Sequence, residues 1–327
     1  GYRSGLNQSM VNHLSEKVRC LERMMALSPG DVVLDIGSND ATTLKAYSVK
    51  GVQRIGIDPT AGKFKQYYAD DIKLVPDFFS SAVYHSIEKR PARIVTSIAM
   101  FYDLDAPVEF ARQIESILAD DGIWHFEQSY MPSMLRLNSY DTICHEHLEY
   151  YSLSIVTEVL EQAGLKIIDV VMNAVNGGSF AVTAAKTANR SVKSNHPVIN
   201  WLLEQEERMG LSTPKPYREF EERVFRHRDD LVRLIRALNA DGKQVLGYGA
   251  STKGNVVLQF CGFTEKDIPA IADLNPDKVG CFTPGTHIPI ISEEEARRMR
   301  PDYFLVLPWH FKAGILRTPR FRRRDRG

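Results

Sequence analysis

Cysteine is scarce in this chain of 327 residues, and its four cysteines stand far apart. No two of them have the Cys-x-x-Cys spacing, which argues against a disulfide framework and against a structural zinc knuckle. Free cysteines of this kind are typical of a reducing compartment, so we expect a cytoplasmic protein. The four are Cys20, Cys144, Cys261 and Cys281.

The chain also lacks an excess of charge of one sign, because 41 Lys and Arg residues balance 41 Asp and Glu residues. Without an overall field of one sign, we expect neither a nucleic acid nor a membrane surface as a partner. No apolar run reaches the roughly 18 residues that a membrane span needs. A composition of 43% apolar and 25% charged residues is typical of a globular protein, and the length allows two domains.

The stretch from Asp31 to Asp40, DVVLDIGSND, has the pattern of a buried strand that ends in a turn. Gly37 lets the backbone fold tightly against a ligand. The next apolar run, from Gln53 to Ile57, ends in Asp58. An acid about 20 residues beyond a glycine turn is the spacing that lets a carboxylate hold a ribose hydroxyl in an α/β nucleotide site. The two strand ends are therefore predicted to face one ligand.

The glycine turn lacks the second and third glycines that bring a backbone close to a pyrophosphate. A nucleoside ligand without phosphates fits better, and the cationic sulfonium of S-adenosylmethionine (SAM) suits the acids near the turn. An ordinary strand-to-helix turn, in which Asp40 only caps the helix, is the alternative. The predicted cofactor-binding residues are Asp35, Gly37, Ser38, Asn39, Asp40, Asp58 and Ser97.

Strand and helix patterns alternate as far as Phe126, which predicts an α/β fold with an open, mostly parallel sheet. Two apolar runs around Asn176-Gly177-Gly178 are predicted to close this sheet as an antiparallel pair. We expect a Rossmann-like domain over residues 1–187 and a helical linker over 188–240. A second, smaller Rossmann-like domain is expected over 241–327, because KQVLGYGA at 243–250 repeats the pattern of a strand followed by a glycine turn.

The densest group of reactive side chains is Cys144-His145-Glu146-His147, in an irregular polar segment. Neighbouring side chains on an extended segment point in opposite directions, so a metal would need ligands from elsewhere, and none is predicted. General acid and base chemistry needs only a histidine and a carboxylate to orient it, which Glu146 and His147 supply. A plain surface loop is the alternative.

Six segments together resemble the SAM-dependent sugar C-methyltransferases, and the resemblance covers nearly the whole chain. These enzymes act on nucleotide-linked 4-keto-deoxyhexoses. The segments are VVLDIGSNDATTL, SYDTICHEHLEYYSL, NGGSFAV, GYGASTKGNVVLQF, IADLNPDKVG and VLPWHFK. The resemblance implies a SAM domain, a C-terminal Rossmann-like domain that helps to hold the nucleotide sugar, and usually an N-terminal zinc domain, which this sequence lacks.

The resemblance also implies roles for individual residues. His147 matches the general base of the family, Glu146 lies beside it, and Tyr2 matches an active-site tyrosine that would stabilise an enolate oxygen. We expect the substrate to contact Cys144, and its phosphates to contact Ser251, Lys253 and Asn255, which lie at a predicted helix start.

The sequence departs from the family pattern at two places. Cys144 stands where family members often have tyrosine, and the fourth strand exits through Ser97-Ile98-Ala99-Met100-Phe101, where many have Asn and His. We expect the same class of reaction, a methyl transfer to the carbon next to a ketone through an enolate, with a different acceptor.

Two other functions stay open. Gly247-Tyr248-Gly249 with Asp273 could bind a dinucleotide, as in an NAD(P)-dependent sugar-nucleotide oxidoreductase, although Thr252 stands where the third glycine belongs. The missing strand-exit histidine and zinc domain would also suit a non-catalytic subunit that binds SAM or a sugar nucleotide.

Overall fold

The computed structural model describes residues 3–317. The helices are α1 (Gln8–Met24), α2 (Thr42–Lys45), α3 (Ser81–Ile87), α4 (Pro107–Ile117), α5 (Met131–Leu137), α6 (Leu153–Gln162), α7 (His196–Met209), α8 (Lys215–Ala240), α9 (Thr252–Phe260), α10 (Glu293–Arg298) and α11 (Lys312–Arg317). The strands are β1 (Val32–Ile36), β2 (Gln53–Ile57), β3 (Ile72–Val75), β4 (Ala92–Ile98), β5 (Leu118–Ser129), β6 (Leu165–Asn173), β7 (Ser179–Lys186), β8 (Val245–Tyr248), β9 (Ile271–Asp273), β10 (Ile290–Ser292) and β11 (Tyr303–Val306).

The chain forms two compact units, each built from several stretches of the sequence. Among the described residues, the first unit comprises residues 3–130, Leu148–Asn173 and Ser179–Arg208, and the second comprises Met131–His147, Ala174–Gly178 and residues 209–317. Most of α7 joins the first unit because its apolar face is buried in that core. α5 joins the second, where the Arg223 guanidinium donates to its Leu135 carbonyl at 2.7 Å. These tertiary contacts leave no local mark in the sequence.

The first unit contains a seven-stranded sheet in the order β3-β2-β1-β4-β5-β7-β6. The strands from β3 to β5 pair in parallel, as predicted, and β7 runs antiparallel to β5. β6 and β7 form the predicted antiparallel pair. All five residues of β1 are buried, as expected for a central parallel strand covered on both faces. The strand order reverses beside β1, which makes the carboxyl ends of β1 and β4 the expected ligand edge.

Helix α1 packs an apolar stripe on this sheet. Val18 and Leu21 are buried in one cluster with Val33 of β1, and Leu14 is buried as well. Leu6 lies before the helix in a short 3₁₀ turn and is exposed. The helix begins at Gln8, because the Asn7 side chain accepts from the Ser9 N–H and caps it.

The second unit contains a four-stranded parallel sheet in the order β10-β9-β8-β11. Its core gathers apolar residues of α8, α9 and these strands around Phe263 and Leu258. The predicted α/β class with two Rossmann-like sheets is therefore confirmed. Within residues 3–317, no helix combines the length and the apolar character that crossing a membrane requires.

Candidate active site

Gly37 forms the turn that follows β1. Its φ of 73° lies in the left-handed region that favours glycine. A Cβ added at Gly37 would lie 3.3 Å from Cγ of Met100, which follows β4, so a side chain here would also be crowded. The turn is tied to the neighbouring strand, because the Gly37 N–H donates to the Ile57 carbonyl at 2.9 Å. The backbone at this edge can therefore approach a ligand closely.

Asp58 lies at the carboxyl end of β2 and joins the glycine turn to that strand. Its Oδ2 accepts from the Asn39 N–H at 2.8 Å, and its Oδ1 accepts from the N–H and the hydroxyl of Thr60 at 2.7 and 2.8 Å. A carboxylate oxygen can accept two hydrogen bonds, so Oδ2 has capacity for a ribose hydroxyl beside its bond to Asn39. The acid and the turn therefore lie together, as their spacing predicts.

The other polar residues of the turn bind the segment that precedes α1. The Asn39 side chain accepts from the Ser4 N–H at 3.1 Å, and Asp40 Oδ2 accepts from the Gly5 N–H at 3.0 Å. Asp40 is also 3.7 Å from the Arg3 guanidinium and accepts from the Thr42 hydroxyl at 2.5 Å. The Asp40 carboxylate is thus occupied by protein groups, a role that the sequence did not predict.

Three more predicted cofactor residues are buried. The hydroxyls of Ser38 and Tyr68 are hydrogen-bonded at 2.8 Å, and Ser97 Oγ accepts from the Trp124 indole at 2.9 Å. Asp35 accepts from the Thr96 hydroxyl at 2.5 Å. Burial raises the pKa of Asp35 to about 7, so this carboxyl is partly protonated at neutral pH and contributes less negative charge than expected.

The edge of the first sheet fits SAM. A glycine with positive φ gives backbone access, Asp58 offers an acceptor for ribose, and Asp40 and Asp58 place negative charge near the turn for a sulfonium. The turn also lacks the additional glycines that a pyrophosphate would require. The residues present therefore suit a nucleoside with a cationic centre.

His147 belongs to the second unit and is half-buried there. Its Nδ1 lies 2.8 Å from the Thr142 carbonyl, which can only accept, so Nδ1 carries the proton and Nε2 is the basic nitrogen. Burial lowers the pKa of His147 and so favours the neutral ring, although the bond to Thr142 opposes this shift. The ring is therefore in the tautomer and the charge state that a general base needs.

The orienting group of His147 differs from the predicted one. Glu146 is exposed and acts on His147 only through its charge, whereas the backbone carbonyl of Thr142 makes the hydrogen bond to the ring. The neighbouring His145 is exposed, and Cys144 is partly exposed. Tyr2, the third predicted catalytic residue, lies outside the described residues.

The predicted phosphate-binding residues lie at the start of α9. Ser251 caps this helix, because its Oγ accepts from the Gly254 N–H at 3.0 Å. Lys253 Nζ donates to the Asn176 carbonyl at 2.7 Å, and burial lowers the pKa of Lys253. Asn255 Oδ1 is buried without a hydrogen-bond partner in residues 3–317. An unpaired buried acceptor of this kind is costly unless a ligand or water meets it.

The second unit holds further polar residues that the sequence did not single out. Asp141 Oδ2 accepts from the Trp309 indole at 2.9 Å, and its Oδ1 is buried without a partner in the described chain. Burial, together with the charge of Lys253, lowers the pKa of His310 to about 4. Trp309 and His310 stand in the VLPWHFK segment, yet nothing in the sequence connects them with Asp141. No group of three His, Cys, Asp or Glu residues in the described ranges is arranged to hold a metal ion.

Comparisons with known proteins identify the chain. Residues 11–170 match a family model described as a methyltransferase domain, and residues 174–327 match one described as a C-methyltransferase C-terminal domain. The C-methyltransferase NovU of Streptomyces niveus is 34% identical over 312 residues, which cover 94% of this chain and 73% of NovU. This protein belongs to the C-methyltransferase family.

This C-methyltransferase is an enzyme that depends on SAM, as predicted, and its family membership selects that function over the oxidoreductase and non-catalytic alternatives. The solved structures that resemble it are more distant. The mitomycin 7-O-methyltransferase MmcR is 16% identical, covers 55% of each chain and gives a TM-score of 0.42. The magnesium protoporphyrin IX methyltransferase of Synechocystis PCC 6803 is 12% identical, with a TM-score of 0.43 over 55% of this chain and 88% of its own.

We expect Asp58→Ala to weaken SAM binding by roughly 1.5 to 3 kcal/mol, the worth of hydrogen bonds to a charged group. Titration calorimetry with SAM measures this change. Asp31→Ala is the matched control, because Asp31 accepts from the Ser28 N–H just before β1, at the opposite end of the strand from Gly37. Unchanged SAM affinity in Asp58→Ala would remove Asp58 from the cofactor site.

Proposed function

We propose that this C-methyltransferase methylates the carbon next to the ketone of a nucleotide-linked keto-deoxysugar, in the cytoplasm. The observation that carries the proposal is the state of His147, whose ring is held in one tautomer by Thr142 and kept neutral by burial. A carbon next to a ketone is acidic enough for such a base, whereas methylation of a hydroxyl would need no carbanion. The resemblance to sugar C-methyltransferases supports the sugar as acceptor.

The proposed reaction begins when His147 Nε2 takes the proton from that carbon. The electron pair of the broken bond then spreads onto the ketone oxygen as an enolate. SAM, held at the glycine turn by Gly37 and Asp58, would supply an electrophilic methyl group for the enolate carbon; its sulfur would keep the bonding pair, and the proton would stay on His147. The His147 ring is prepared for this step before substrate binds, because Thr142 fixes its orientation.

Product analysis tests this function. The protein is incubated with SAM and a panel of nucleotide-linked 4-keto-deoxyhexoses, beginning with dTDP-4-keto-6-deoxyglucose, and the products are examined by mass spectrometry. We expect one added methyl group on carbon next to the ketone. A methyl group on oxygen, or no methylation of any keto sugar in the panel, would contradict the proposal. The same panel without the keto group is the control.

The nucleotide of the acceptor is proposed to contact the start of α9. Lys253 is the cation there, and its Nζ already meets the Asn176 carbonyl, which fixes its direction. We expect Lys253→Met, which keeps the aliphatic stem, to weaken binding of dTDP-4-keto-6-deoxyglucose by about 10-fold or more. Lys243→Met is the control, because Lys243 is exposed just before β8 and pairs with Asp302. Equal affinity of both variants at several salt concentrations would show that Lys253 does not bind phosphate.

A further inference from the structure

The second unit has a ligand edge of its own, at the carboxyl end of its four-stranded sheet. The order β10-β9-β8-β11 reverses beside β8, because β9 and β10 extend the sheet on one side and β11 lies on the other. In open parallel sheets, ligands bind at the carboxyl ends of the two strands where the order reverses. β8 leads there to the start of α9, and β11 leads to Trp309 and His310. The residues that follow these two strands are therefore the expected contacts of a ligand.

Asp141 lies at this edge and has one buried oxygen without a protein partner. Its Oδ2 accepts from the Trp309 indole at 2.9 Å, which ties the carboxylate to the segment after β11. Its Oδ1 meets no donor within residues 3–317, although Asp141 is only 2% exposed. A buried acceptor without a donor is costly, so this oxygen is expected to meet a ligand or a water. A ligand that reaches it must offer a hydrogen-bond donor.

Lys253 is a common neighbour of Asp141 and of the proposed general base. Burial lowers the pKa of Lys253, and the negative charge of Asp141 opposes that shift. Burial also lowers the pKa values of His147 and His310, and the charge of Lys253 lowers both further. These charges act on one another because the side chains lie close together. The unpaired Asp141 oxygen and the His147 ring are therefore both near Lys253, within one unit.

The Asp141 carboxylate and its neighbouring cation are both held in fixed directions. Trp309, which binds Oδ2, packs on the backbone of Gly177, where an added Cβ would lie 3.0 Å from its ring. Lys253 Nζ donates to the Asn176 carbonyl at 2.7 Å. An acceptor that cannot turn away discriminates strongly between ligands, since it stays buried and unpaired when the ligand lacks the matching donor.

We propose that Asp141 is a specificity-determining residue of the acceptor site and accepts, through Oδ1, a hydrogen bond from a ring hydroxyl of the keto sugar. This inference rests on the proposed function, in which the nucleotide sugar lies at the start of α9. A sugar hydroxyl is a donor that suits a carboxylate oxygen. The phosphates of the nucleotide offer acceptors and negative charge, so they do not suit it. Asp141 therefore selects sugars that keep this hydroxyl.

Binding of deoxy analogues tests the contact without turnover. The ligands are dTDP-4-keto-6-deoxyglucose, its 2-deoxy and 3-deoxy analogues, and dTDP alone, each titrated by calorimetry in the presence of S-adenosylhomocysteine. The parent should bind one of the two analogues about 10- to 100-fold more weakly than the full sugar, because Oδ1 then stays without a donor. Since dTDP lacks the keto sugar, its affinity reports the nucleotide contacts alone.

Two variants remove the acceptor, and a third is the control. Asp141→Ala should reduce the discrimination to about 2-fold or less, while dTDP binds as to the parent. Asp141→Asn keeps an oxygen for the Trp309 indole but puts an amide nitrogen, which cannot accept, in place of Oδ1, so most of the discrimination should be lost as well. Asp267→Asn should keep the parental values, because Asp267 lies before β9 and its two oxygens already accept from Arg236 and Thr264.

Three results would overturn the proposal. They are a parent that binds both deoxy analogues as tightly as the full sugar, Asp141 variants that keep the parental discrimination, and equal losses for dTDP and every sugar or unfolding of both Asp141 variants, which would make Asp141 structural.

Methylation of the full sugar by the parent with SAM judges the proposed function separately. If the parent methylates the keto sugar without discriminating between the analogues, only the role of Asp141 falls. If the parent discriminates but methylates no keto sugar, the contact of Asp141 stands and the proposed reaction falls. A parent that binds no nucleotide-linked keto sugar would overturn both.

Discussion

We expect His147→Asn to slow methyl transfer by about 100- to 10,000-fold while SAM binds as tightly as to the parent. The asparagine amide can still donate to the Thr142 carbonyl, which holds His147 Nδ1 at 2.8 Å, but it cannot accept a proton as Nε2 does. The substitution should therefore slow the removal of the proton and leave SAM binding unchanged. Steady-state rates and SAM calorimetry on the same preparation measure the two quantities.

Deuterium exchange reports the same step without methyl transfer. With S-adenosylhomocysteine in place of SAM, the parent should wash solvent deuterium into the carbon next to the ketone, and His147→Asn should not. His145→Asn is the matched control, because His145 is the exposed neighbour and should behave as the parent. Exchange at the parental rate in His147→Asn would show that another group is the base, with Glu146 or Tyr2 next to be tested.

The pH dependence of this reaction follows from the burial of His147. A general base works in its neutral form, so kcat/KM should fall as the pH drops through the pKa of His147. Because burial lowers that pKa, the fall should come below the ordinary imidazole value of about 6.5. A profile that falls above this value would mean that His147 is not the group titrating in the rate.

Local pattern was sufficient to predict the first strand and its turn. Four apolar residues and one aspartate form the strand, and a glycine and a second acid follow within about 30 residues. The structure brings Gly37 and Asp58 together through the Asn39 N–H. The antiparallel pair β6 and β7 was equally predictable, since Asn176-Gly177-Gly178 supplies three positive φ angles between two apolar runs.

Partners that are distant in sequence were not predictable. His13 and Glu127 are 114 residues apart, and Glu127 looks like any polar residue at a strand end until the fold brings α1 onto it. The protein contacts of Asp40 were equally hidden. Its carboxylate accepts from the backbone N–H of Gly5, which its position in the turn does not indicate. Which of several acids at a turn faces the ligand depends on where the preceding segment runs.

Neighbouring residues also misled the prediction at His147. Glu146 is adjacent in sequence and was expected to orient the ring, but side chains of adjacent residues diverge, and Glu146 is exposed. The carbonyl five residues earlier, at Thr142, makes the bond instead. A backbone partner depends on the shape of the loop and not on side-chain type, so no sequence pattern marks it.

The second large effect is expected from a residue with no place in the chemistry. Glu206 of α7 is buried in the first unit, where its Oε1 accepts from the Tyr130 hydroxyl at 2.7 Å and from the Leu153 N–H at 2.5 Å. Its Oε2 accepts from the Ser154 N–H at 2.9 Å, so Glu206 satisfies the first backbone donors of α6 from a separate helix. The residue therefore links α6, α7 and the segment after β5.

We expect Glu206→Ala to lower the free energy of unfolding of the first unit by about 3 kcal/mol, because it removes the carboxylate that accepts from two backbone N–H groups at the start of α6 and from the Tyr130 hydroxyl. Urea unfolding, monitored by amide hydrogen exchange in β5, β6 and β7, measures the stability of the first unit separately from that of the second. Glu204→Ala, on the same helix, is the control: Glu204 and its partner Arg208 are exposed and 3.4 Å apart, so its loss should stay within about 0.5 kcal/mol. Equal stability of the two variants would show that water replaces Glu206 at the start of α6.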